Sequence, residues 1–484
     1  MNRFPGAAGL VFNEPLLWEK GRPGRTAFSL PRPDVPAAPL PEELTADGPD
    51  FPDLSEPELV RHYTRLSQWN FCVDSGLYPL GSCTMKYNPK INEKQAARPA
   101  LAGASPWLPE DLAQGALKLM HDLERLLAHI TGLPAVTLQP AAGAQGELAG
   151  MLIIHACQRE RGGQRTKILV PDTAHGTNPA SAALCGYQPV GVSSGPDGVL
   201  TFEAVASVMD DRTAGIMMTN PNTLGLFEAN CRSIADLVHE RGGLVYMDGA
   251  NLNAVMGIVD VAALGVDILH LNLHKTFSTP HGGGGPGAGP VCVRSELEPY
   301  LPVPRVMEEN GRYRLSEDFP RSIGRLHAFH GNFGVMIKAL SYILSLGPEL
   351  KTVSQLAVLN ANYLRKRLAG VFHLPYDRPC MHECVFTDRF QRPHKVTTLD
   401  MVKRLMDFGF HPPTIYFPLV VEGALMIEPT ETESKEDLDL FIEALMEVAR
   451  EAAEDPEALR RAPGLTKVRR LDETAAARKP RLCG

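Results

Sequence analysis

Lys275 is the residue with the clearest potential for chemistry, because it comes two residues after a mainly apolar run at residues 268–273. This run predicts a buried strand, since turn-forming sequences bound it on both sides. A buried ammonium is costly unless it is paired or neutralised. A lysine whose pKa is lowered by partial burial attacks aldehydes and forms an imine. A glycine-rich run at residues 282–287 follows, so we expect a reactive lysine at a strand end beside a glycine-rich loop.

A second apolar run, residues 243–247, ends in Asp248. Parallel strands joined by a short crossover bring their carboxyl ends to the crevice where open α/β sheets bind ligands. Pyridoxal phosphate is the usual aldehyde for such a lysine, and its pyridine nitrogen needs an acidic partner. Asp248 and Lys275 together therefore predict a pyridoxal phosphate site. The alternative interpretation makes Lys275 a surface lysine and Asp248 the N-cap of a helix.

Three longer motifs, at residues 78–89, 175–180 and 271–277, resemble glycine dehydrogenase (decarboxylating), the P-protein family of the glycine cleavage system. The resemblance extends from near the N-terminus to about residue 455, and the chain length resembles subunit 2 of the two-subunit form, which retains the lysine. It implies decarboxylation of glycine and transfer of the aminomethyl group to the lipoyl arm of the H-protein. It also implies a lysine-less subunit 1 (alpha) as partner, in an α2β2 heterotetramer.

The resemblance also implies roles for individual side chains. Lys275, His175 and His274 are the predicted catalytic residues, with His281 as a further candidate for proton handling. The Gly/Ala-rich turn at 139–146 opens a predicted helix, whose free N–H groups suit a phosphate. The predicted cofactor-binding residues are Lys275, Asp248, His175, Ala144, Gln145, Asn220, Thr223, Ala250, Asn272 and His274.

The glycine carboxylate requires hydrogen-bond donors in a small pocket, because glycine offers little else to recognise. The hydroxyl-rich, basic loop near residues 82–86 supplies Ser82, Thr84 and Lys86, and Arg325 is a further candidate. The sequence does not choose among these four residues. A structural turn is the alternative interpretation of the loop.

Strand and helix patterns alternate through the middle of the chain, which predicts a mostly parallel sheet with helices on both faces. Strands are expected at 135–138, 167–170, 189–192 and 215–219, and amphipathic helices at 116–130 and from about 147 to 161. The resemblance implies a type I pyridoxal-phosphate fold, aspartate aminotransferase-like, with a seven-stranded-type sheet, a smaller C-terminal α/β domain and an extended N-terminal arm.

We expect four segments along the chain. Residues 1–100 form the arm and the active-site loop, and 101–345 form the cofactor-binding large domain. Residues 346–455 form the small domain, and the tail at 456–484 shows no core pattern and is predicted to be disordered. The arm carries apolar stretches such as 10–12 and 16–18 between prolines, which favours packing on another subunit over a free tail.

Composition excludes several other classes of protein. The 484 residues carry a net charge of −8 with interspersed signs, which gives no case for nucleic acid or an anionic membrane. No apolar run approaches the ~20 residues of a membrane helix. We expect a cytoplasmic protein, or one in an organelle matrix after removal of a transit peptide. The nine cysteines are predicted to be reduced, and Cys380 and Cys384 lack the further ligands of a zinc site.

Two other functions remain open from the sequence. One is another type I pyridoxal-phosphate enzyme, either a decarboxylase without an acceptor protein or an aminotransferase. The other is a non-catalytic scaffold subunit descended from such an enzyme, which the presence of Lys275 opposes. The visible absorbance of a lysine-bound cofactor, and its loss after borohydride reduction, would separate enzyme from scaffold.

Overall fold

A computed structural model describes residues 14–29, 31–48, 50–105, 108–282 and 285–480. The strands are β1 Ala135–Thr137, β2 Lys167–Pro171, β3 Gln188–Val192, β4 Thr213–Thr219, β5 Leu244–Gly249, β6 Ile268–Leu271, β7 Val291–Val293, β8 Arg305–Glu309, β9 Arg312–Ser316, β10 Cys384–Thr387, β11 Thr414–Ile415 and β12 Ala424–Ile427. The α-helices are α1 Leu17–Lys20, α2 Glu56–Ser67, α3 Lys90–Ala96, α4 Pro99–Ala102, α5 Glu110–Thr131, α6 Gly143–Glu160, α7 Thr177–Leu184, α8 Phe202–Val208, α9 Cys231–Glu240, α10 Leu273–Thr276, α11 Phe333–Leu346, α12 Leu350–Leu368, α13 Thr398–Asp407, α14 Lys435–Glu454, α15 Pro456–Arg461 and α16 Glu473–Arg478.

Seven strands form the larger sheet, in the order β1-β7-β6-β5-β4-β2-β3. Strands β3, β2, β4, β5 and β6 are parallel, and β7 lies antiparallel between β6 and β1. The central strands β4, β5 and β6 are buried along their whole length and are mostly apolar, because helices cover both faces of the sheet. This arrangement confirms the predicted fold class and brings the carboxyl ends of β2, β4, β5 and β6 to one edge.

A second, three-stranded antiparallel sheet has the order β10-β12-β11. Helices α12, α13 and α14 pack on it around a separate apolar core that includes Phe372, Phe386 and Phe441. The Ser434 hydroxyl accepts a hydrogen bond from the Asp437 N–H at the start of α14, as the capping pattern predicts.

Several element boundaries differ from the sequence prediction. Helix α6 begins at Gly143, not at Glu147, so the glycines of the predicted turn lie inside its first turns. Gly146 allows the helix start to pack closely on the neighbouring backbone, because an added Cβ there would approach the Gly289 carbonyl oxygen to 2.8 Å. Strand β6 ends at Leu271, and Lys275 lies in the one-turn helix α10 that follows it.

The predicted disorder of the C-terminal tail is wrong for residues 456–470. Helix α15 buries Leu459 completely and is capped by Asp455. Arg470 donates to the Asp400 carboxylate at 2.7 Å, and Asp407 accepts the N–H of Gly464 at 2.7 Å. Leu459 is the one large apolar residue of α15, and polar contacts hold the residues after it, so the hydrophobic pattern gave no signal. Residues 481–484 lie outside the described part of the chain.

The arm from residue 14 to about 55 is extended and carries large apolar side chains in solvent. Trp18, Phe28 and Phe51 are 60%, 75% and 72% exposed, respectively. Glu14 ties the arm to α2 by accepting from His62 at 2.8 Å and Arg65 at 2.9 Å. The predicted apolar stretch 10–12 lies outside the described residues.

One helical stretch in the described residues, Phe333–Leu368, is long and apolar enough to span a membrane by composition alone. The stretch consists of two helices, α11 and α12, separated by a short 3-10 turn at Gly347–Glu349. Buried residues of α11 pack into the core of the larger sheet and those of α12 reach both cores. We therefore interpret it as a pair of core helices.

Candidate active site

A cavity of about 190 Å³ opens at the carboxyl edge of the larger sheet. Its lining combines the ends of β4, β5 and β6 with the start of α6, the start of α7 and one residue of the N-terminal loop. The lining residues are Ser82, Gly143, Ala144, Glu147, His175, Thr177, Thr219, Thr223, Asp248, Ala250, Asn251, His270, Asn272, His274 and Lys275.

Asp248 lies on β5 at the cavity wall and is 2% exposed. Its Oδ1 accepts the Ala250 N–H at 2.9 Å, and its Oδ2 accepts from the Asn178 side chain at 3.3 Å. Two donors hold the carboxylate in place, as a partner for a protonated ring nitrogen requires.

Lys275 enters the same cavity from α10. Its Nζ donates to the Ser82 carbonyl oxygen at 2.8 Å. Ser82 and Thr84 both adopt a left-handed backbone, with φ of 64° and 39°, which turns the loop sharply over the lysine. The backbone carbonyl of Ser82 is therefore the hydrogen-bond acceptor for the Lys275 amine.

The start of α6 forms another side of the cavity through Gly143 and Ala144. The first N–H groups of an 18-residue helix have no intrahelical partner and carry the positive end of its dipole. An added Cβ at Gly143 would approach the Asn272 amide nitrogen to 2.5 Å, so a larger residue here would displace the Asn272 side chain from the cavity lining. This is a suitable place for a phosphate group.

Three histidines predicted for the site differ in their surroundings. His175 stands at the cavity mouth, accepts or donates a hydrogen bond with the Thr177 hydroxyl at 2.7 Å, and meets Phe417 edge-on. Burial lowers the pKa of His175. Burial also lowers the pKa of His274 to about 3 and that of His281 to about 4, and the two rings lie edge to face. His281 is not part of the cavity lining.

Glu147 and His270 are cavity residues that the sequence did not single out. Burial, reinforced by the charge of Asp248, raises the pKa of Glu147 to about 7. The His270 ring lies between the Tyr246 hydroxyl, 2.6 Å from Nδ1, and Asn272 Oδ1, 3.2 Å from Nε2. A neutral His270 accepts from Tyr246 and donates to Asn272, which agrees with the lowering of its pKa by burial. No local sequence pattern distinguishes either residue from an ordinary helix or strand position.

Buried polar atoms without a partner among the described residues gather around Asp248. They are Glu147 Oε2, Asn178 Oδ1 and Thr219 Oγ1. Buried polar groups are normally hydrogen-bonded, so this wall of the cavity suits a polar ring. Together with the lysine, the aspartate and the helix start, these atoms fit pyridoxal phosphate.

Besides His281, five predicted site residues do not line the cavity, and Lys86 is one of them. Gln145 accepts the Ala141 N–H at 2.6 Å, and Asn220 accepts the Glu228 N–H at 3.0 Å, so both hold the backbone of adjacent turns. The Thr84 N–H donates to Glu428 at 3.1 Å, and Arg325 pairs with Glu317.

Lys86 is the clearest departure from the prediction. It is 2% exposed, and its Nζ contacts Glu431 Oε1 at 2.7 Å and Asn253 Oδ1 at 2.8 Å, together with Tyr342 and the Thr276 carbonyl. Burial alone would lower the pKa of Lys86, but the Glu431 carboxylate and the Tyr342 hydroxyl raise it above its usual value. Lys86 therefore joins the loop to the core and leaves no donor for a substrate.

Comparison with known proteins agrees with this geometry. Residues 144–304 match the aminotransferase class-V family and residues 353–462 match the C-terminal domain of glycine dehydrogenase. A crystal structure of glycine decarboxylase (P-protein) in inhibitor-bound form matches with a TM-score of 0.72 at 22% identity, over 84% of this chain and 93% of that one. The cysteine desulfurase CsdA of Escherichia coli matches with a TM-score of 0.61 at 17% identity, over 79% of this chain and 95% of that one. The fold and the cavity thus define a type I pyridoxal-phosphate enzyme.

Relatives in sequence narrow the class to one family. A probable glycine dehydrogenase (decarboxylating) subunit 2 from Caldanaerobacter subterraneus is 56% identical over 472 residues, 96% of this chain and 97% of the relative. The corresponding protein of Pyrococcus horikoshii is 54% identical over 479 residues, 97% and 95% of the two chains. The chain belongs to the glycine dehydrogenase (decarboxylating) subunit 2 family.

Proposed function

We propose that this chain decarboxylates glycine with pyridoxal phosphate and transfers the aminomethyl group to the lipoyl arm of the H-protein. The observation that carries the proposal is the presence of Lys275 and Asp248 in one cavity beside the start of α6. Family membership selects glycine from the many substrates that type I enzymes use. When bound, the cofactor supplies an electron sink for the charge left as carbon dioxide departs.

Each side chain has a proposed part in this chemistry. Lys275 would hold the cofactor covalently through Nζ, and Asp248 would accept the N–H of its pyridine ring. The N–H groups at Gly143 and Ala144 would bind the phosphate, and the His175 ring would supply an aromatic contact for the cofactor. His274, whose pKa burial lowers to about 3, is neutral at physiological pH, accepts the Ala288 N–H at Nδ1 and would act near Lys275 as a hydrogen-bond donor through Nε2.

The first experiment maps the lysine. The purified chain is loaded with pyridoxal phosphate, reduced with borohydride and digested, and the labelled peptide is identified by mass spectrometry. We expect the label on Lys275 only, with Lys86 as the internal control because it is buried and fully paired. Lys275→Ala should abolish glycine turnover and keep the fold. A label on Lys86 or another lysine would refute the site.

The second experiment tests the acceptor. Carbon dioxide release from carboxyl-labelled glycine is measured with and without lipoylated H-protein and a subunit 1. We expect strong dependence on both. Equal release without any acceptor would favour a simple decarboxylase, and formation of a keto acid would favour an aminotransferase.

We propose a lysine-less subunit 1 as the structural partner, in an α2β2 heterotetramer. The support is the row of exposed apolar side chains on the arm, since large exposed apolar surfaces usually mark interfaces. Removal of residues 1 to about 50 should weaken association in sedimentation experiments and lower activity, while circular dichroism stays unchanged. A fully active monomer without a partner would contradict the proposal.

We also propose the division of the chain into the arm and loop segment (1–100), a cofactor-binding domain (101–345) and a small domain (346–455). The separate apolar cores of the two sheets support this division. The cytoplasm is the proposed location, supported by relatives in bacteria and archaea.

A further inference from the structure

A second group of buried titratable side chains lies below the cavity and does not line it. His382, Glu383 and Glu428 are all 0% exposed. Glu383 directly precedes β10 and Glu428 directly follows β12. These strands are antiparallel neighbours in which Cys384 pairs with Ile427, so the fold itself places the two carboxyl groups side by side.

Each carboxyl group holds one backbone amide of the Ser82–Thr84 loop. Glu383 Oε2 accepts the Ser82 N–H at 2.8 Å, and Glu428 Oε2 accepts the Thr84 N–H at 3.1 Å. The other oxygens, Oε1 of both residues, have no hydrogen-bond partner among the described residues. They face His382 Nε2 at 3.9 and 4.0 Å.

The same loop receives Lys275 from the opposite side. The Ser82 carbonyl accepts from Lys275 Nζ at 2.8 Å, and the Ser82 N–H points to Glu383. Left-handed backbone at Ser82 and Thr84 is unfavourable for residues with a side chain, and such conformations persist only where the surroundings hold them. The two carboxyl groups bond the N–H groups of these two residues and so help to hold this backbone, together with the contacts of Gly81 and Lys86.

Two adjacent buried carboxyl groups do not both ionise readily. Burial, together with Glu428, raises the pKa of Glu383, and burial raises that of Glu428 to about 7. Burial lowers the pKa of His382 to about 3, so its ring is neutral.

The charges that face the pair come from several elements. Lys275 on α10 is the cation whose charge acts on both carboxyl groups. Glu431 lies close to Glu428, and Cys380 lies close to Glu383. Cys83, in the loop, has a thiol pKa that burial raises. One negative charge on the pair would balance the charge of Lys275.

We propose that Glu383 and Glu428 are positioning residues that share one proton and hold the Ser82–Thr84 loop as a seat for Lys275. The Ser82 carbonyl receives the lysine amine whenever Lys275 is not joined to the cofactor, and keeps it near the reacting atoms for its return. The single charge of the pair complements the lysine ammonium across the loop. The inference rests on the proposed function, because only a displaced lysine needs such a seat.

The shared proton is tested by infrared spectroscopy of the full chain, without reference to activity. The difference spectrum of wild type minus Glu383→Gln, and that of wild type minus Glu428→Gln, should each contain one protonated-carboxyl band. Replacing either residue leaves a single ionised carboxylate, so neither variant retains a second band from the pair. Three results would overturn the proposal: two protonated-carboxyl bands from the pair in wild type, no such band, or a stoichiometric metal ion found by elemental analysis.

The positioning role is tested by kinetics. A single glutamine mimics the protonated member of the pair, so Glu383→Gln and Glu428→Gln should keep kcat within about threefold below pH 7. In wild type we expect kcat to decline at alkaline pH as the shared proton dissociates. Neither single variant should show this decline. The double glutamine variant removes the charge that faces Lys275, and we expect kcat to fall about tenfold or more with the KM for glycine within twofold.

Glu124→Gln is the matched control. Burial raises the pKa of Glu124 to about 8, and it lies on α5 outside the cavity lining. Its pH profile should equal that of wild type. An unchanged kcat and pH profile in the double glutamine variant would refute the positioning role. If wild type itself failed to release carbon dioxide from glycine, the proposed function would fail while the infrared result remained valid.

Discussion

Asp248→Asn tests the electronic role of the cavity, because asparagine keeps the shape of aspartate and removes its charge. The Ala250 N–H, at 2.9 Å, can donate to the asparagine oxygen as it does to the carboxylate. The new NH2 group would then face the Asn178 amide nitrogen, which lies 3.3 Å from Asp248 Oδ2. Asn178 Oδ1 has no partner among the described residues, so rotation of the Asn178 amide restores a hydrogen bond. The fold should therefore tolerate the change.

The expected loss is in rate, since a neutral partner leaves the pyridine nitrogen largely unprotonated. Asp248 is 2% exposed, so water does not replace the lost charge. Removal of a preorganised electrostatic group from a buried site costs about 10³-fold in rate, or roughly 4 kcal/mol. We expect at least this loss in glycine decarboxylation, with cofactor still bound through Lys275.

The assay is carbon dioxide release from glycine in the presence of lipoylated H-protein and subunit 1, with cofactor content checked by visible absorbance. Asp267→Asn is the control, because Asp267 is buried at the opposite end of β6 and pairs with His239 and Arg294. This control should lower the melting temperature and leave turnover per folded chain near normal. Decarboxylation near the wild-type rate in Asp248→Asn would refute the assignment.

Two further predictions concern stability. Lys86→Met should lower the free energy of unfolding by about 3–5 kcal/mol, measured by denaturant titration, because it leaves the Glu431 carboxylate buried without its cation. Unchanged stability together with a raised KM for glycine would instead indicate that Lys86 binds the substrate. Glu228→Gln tests a carboxyl whose pKa burial raises to about 7 from 4.5. The native state then binds the extra proton, so wild type loses stability relative to the variant as pH rises from 4.5 to 7, on the order of 3 kcal/mol in all. A pH-independent difference between the two proteins would show that Glu228 ionises normally.

The part of the site that lies at strand ends was predictable from the sequence. Apolar runs mark β5 and β6, and the rule that parallel strands place their carboxyl ends together brings Asp248 near Lys275. His175 and Thr223 follow the ends of β2 and β4, and both line the same cavity. For these residues, the local sequence pattern and the topology of the parallel sheet are enough to predict their place in the site.

Side chains that depend on contacts between distant segments were not predictable. Lys86 resembles a solvent-exposed loop lysine until the contact with Glu431 is known. Glu147 resembles a polar helix residue, and its place beside Asp248 depends on how closely α6 packs on β6 through Gly146. Whether a charged side chain can be buried depends on its partner in a distant segment of the chain, and a single sequence does not identify that partner.

The loop at residues 78–86 shows why domain boundaries along the chain do not bound the site. Leu80 pairs antiparallel with Ile427, so the loop extends the small sheet. The Ser82 carbonyl meets Lys275, which the large sheet positions. The seat for the lysine therefore requires the N-terminal segment, the large sheet and the small sheet at once. A truncation that ends near residue 50 leaves the cavity lining intact and should lower activity only through weaker subunit association, whereas one that extends past residue 82 also removes Ser82 from the lining.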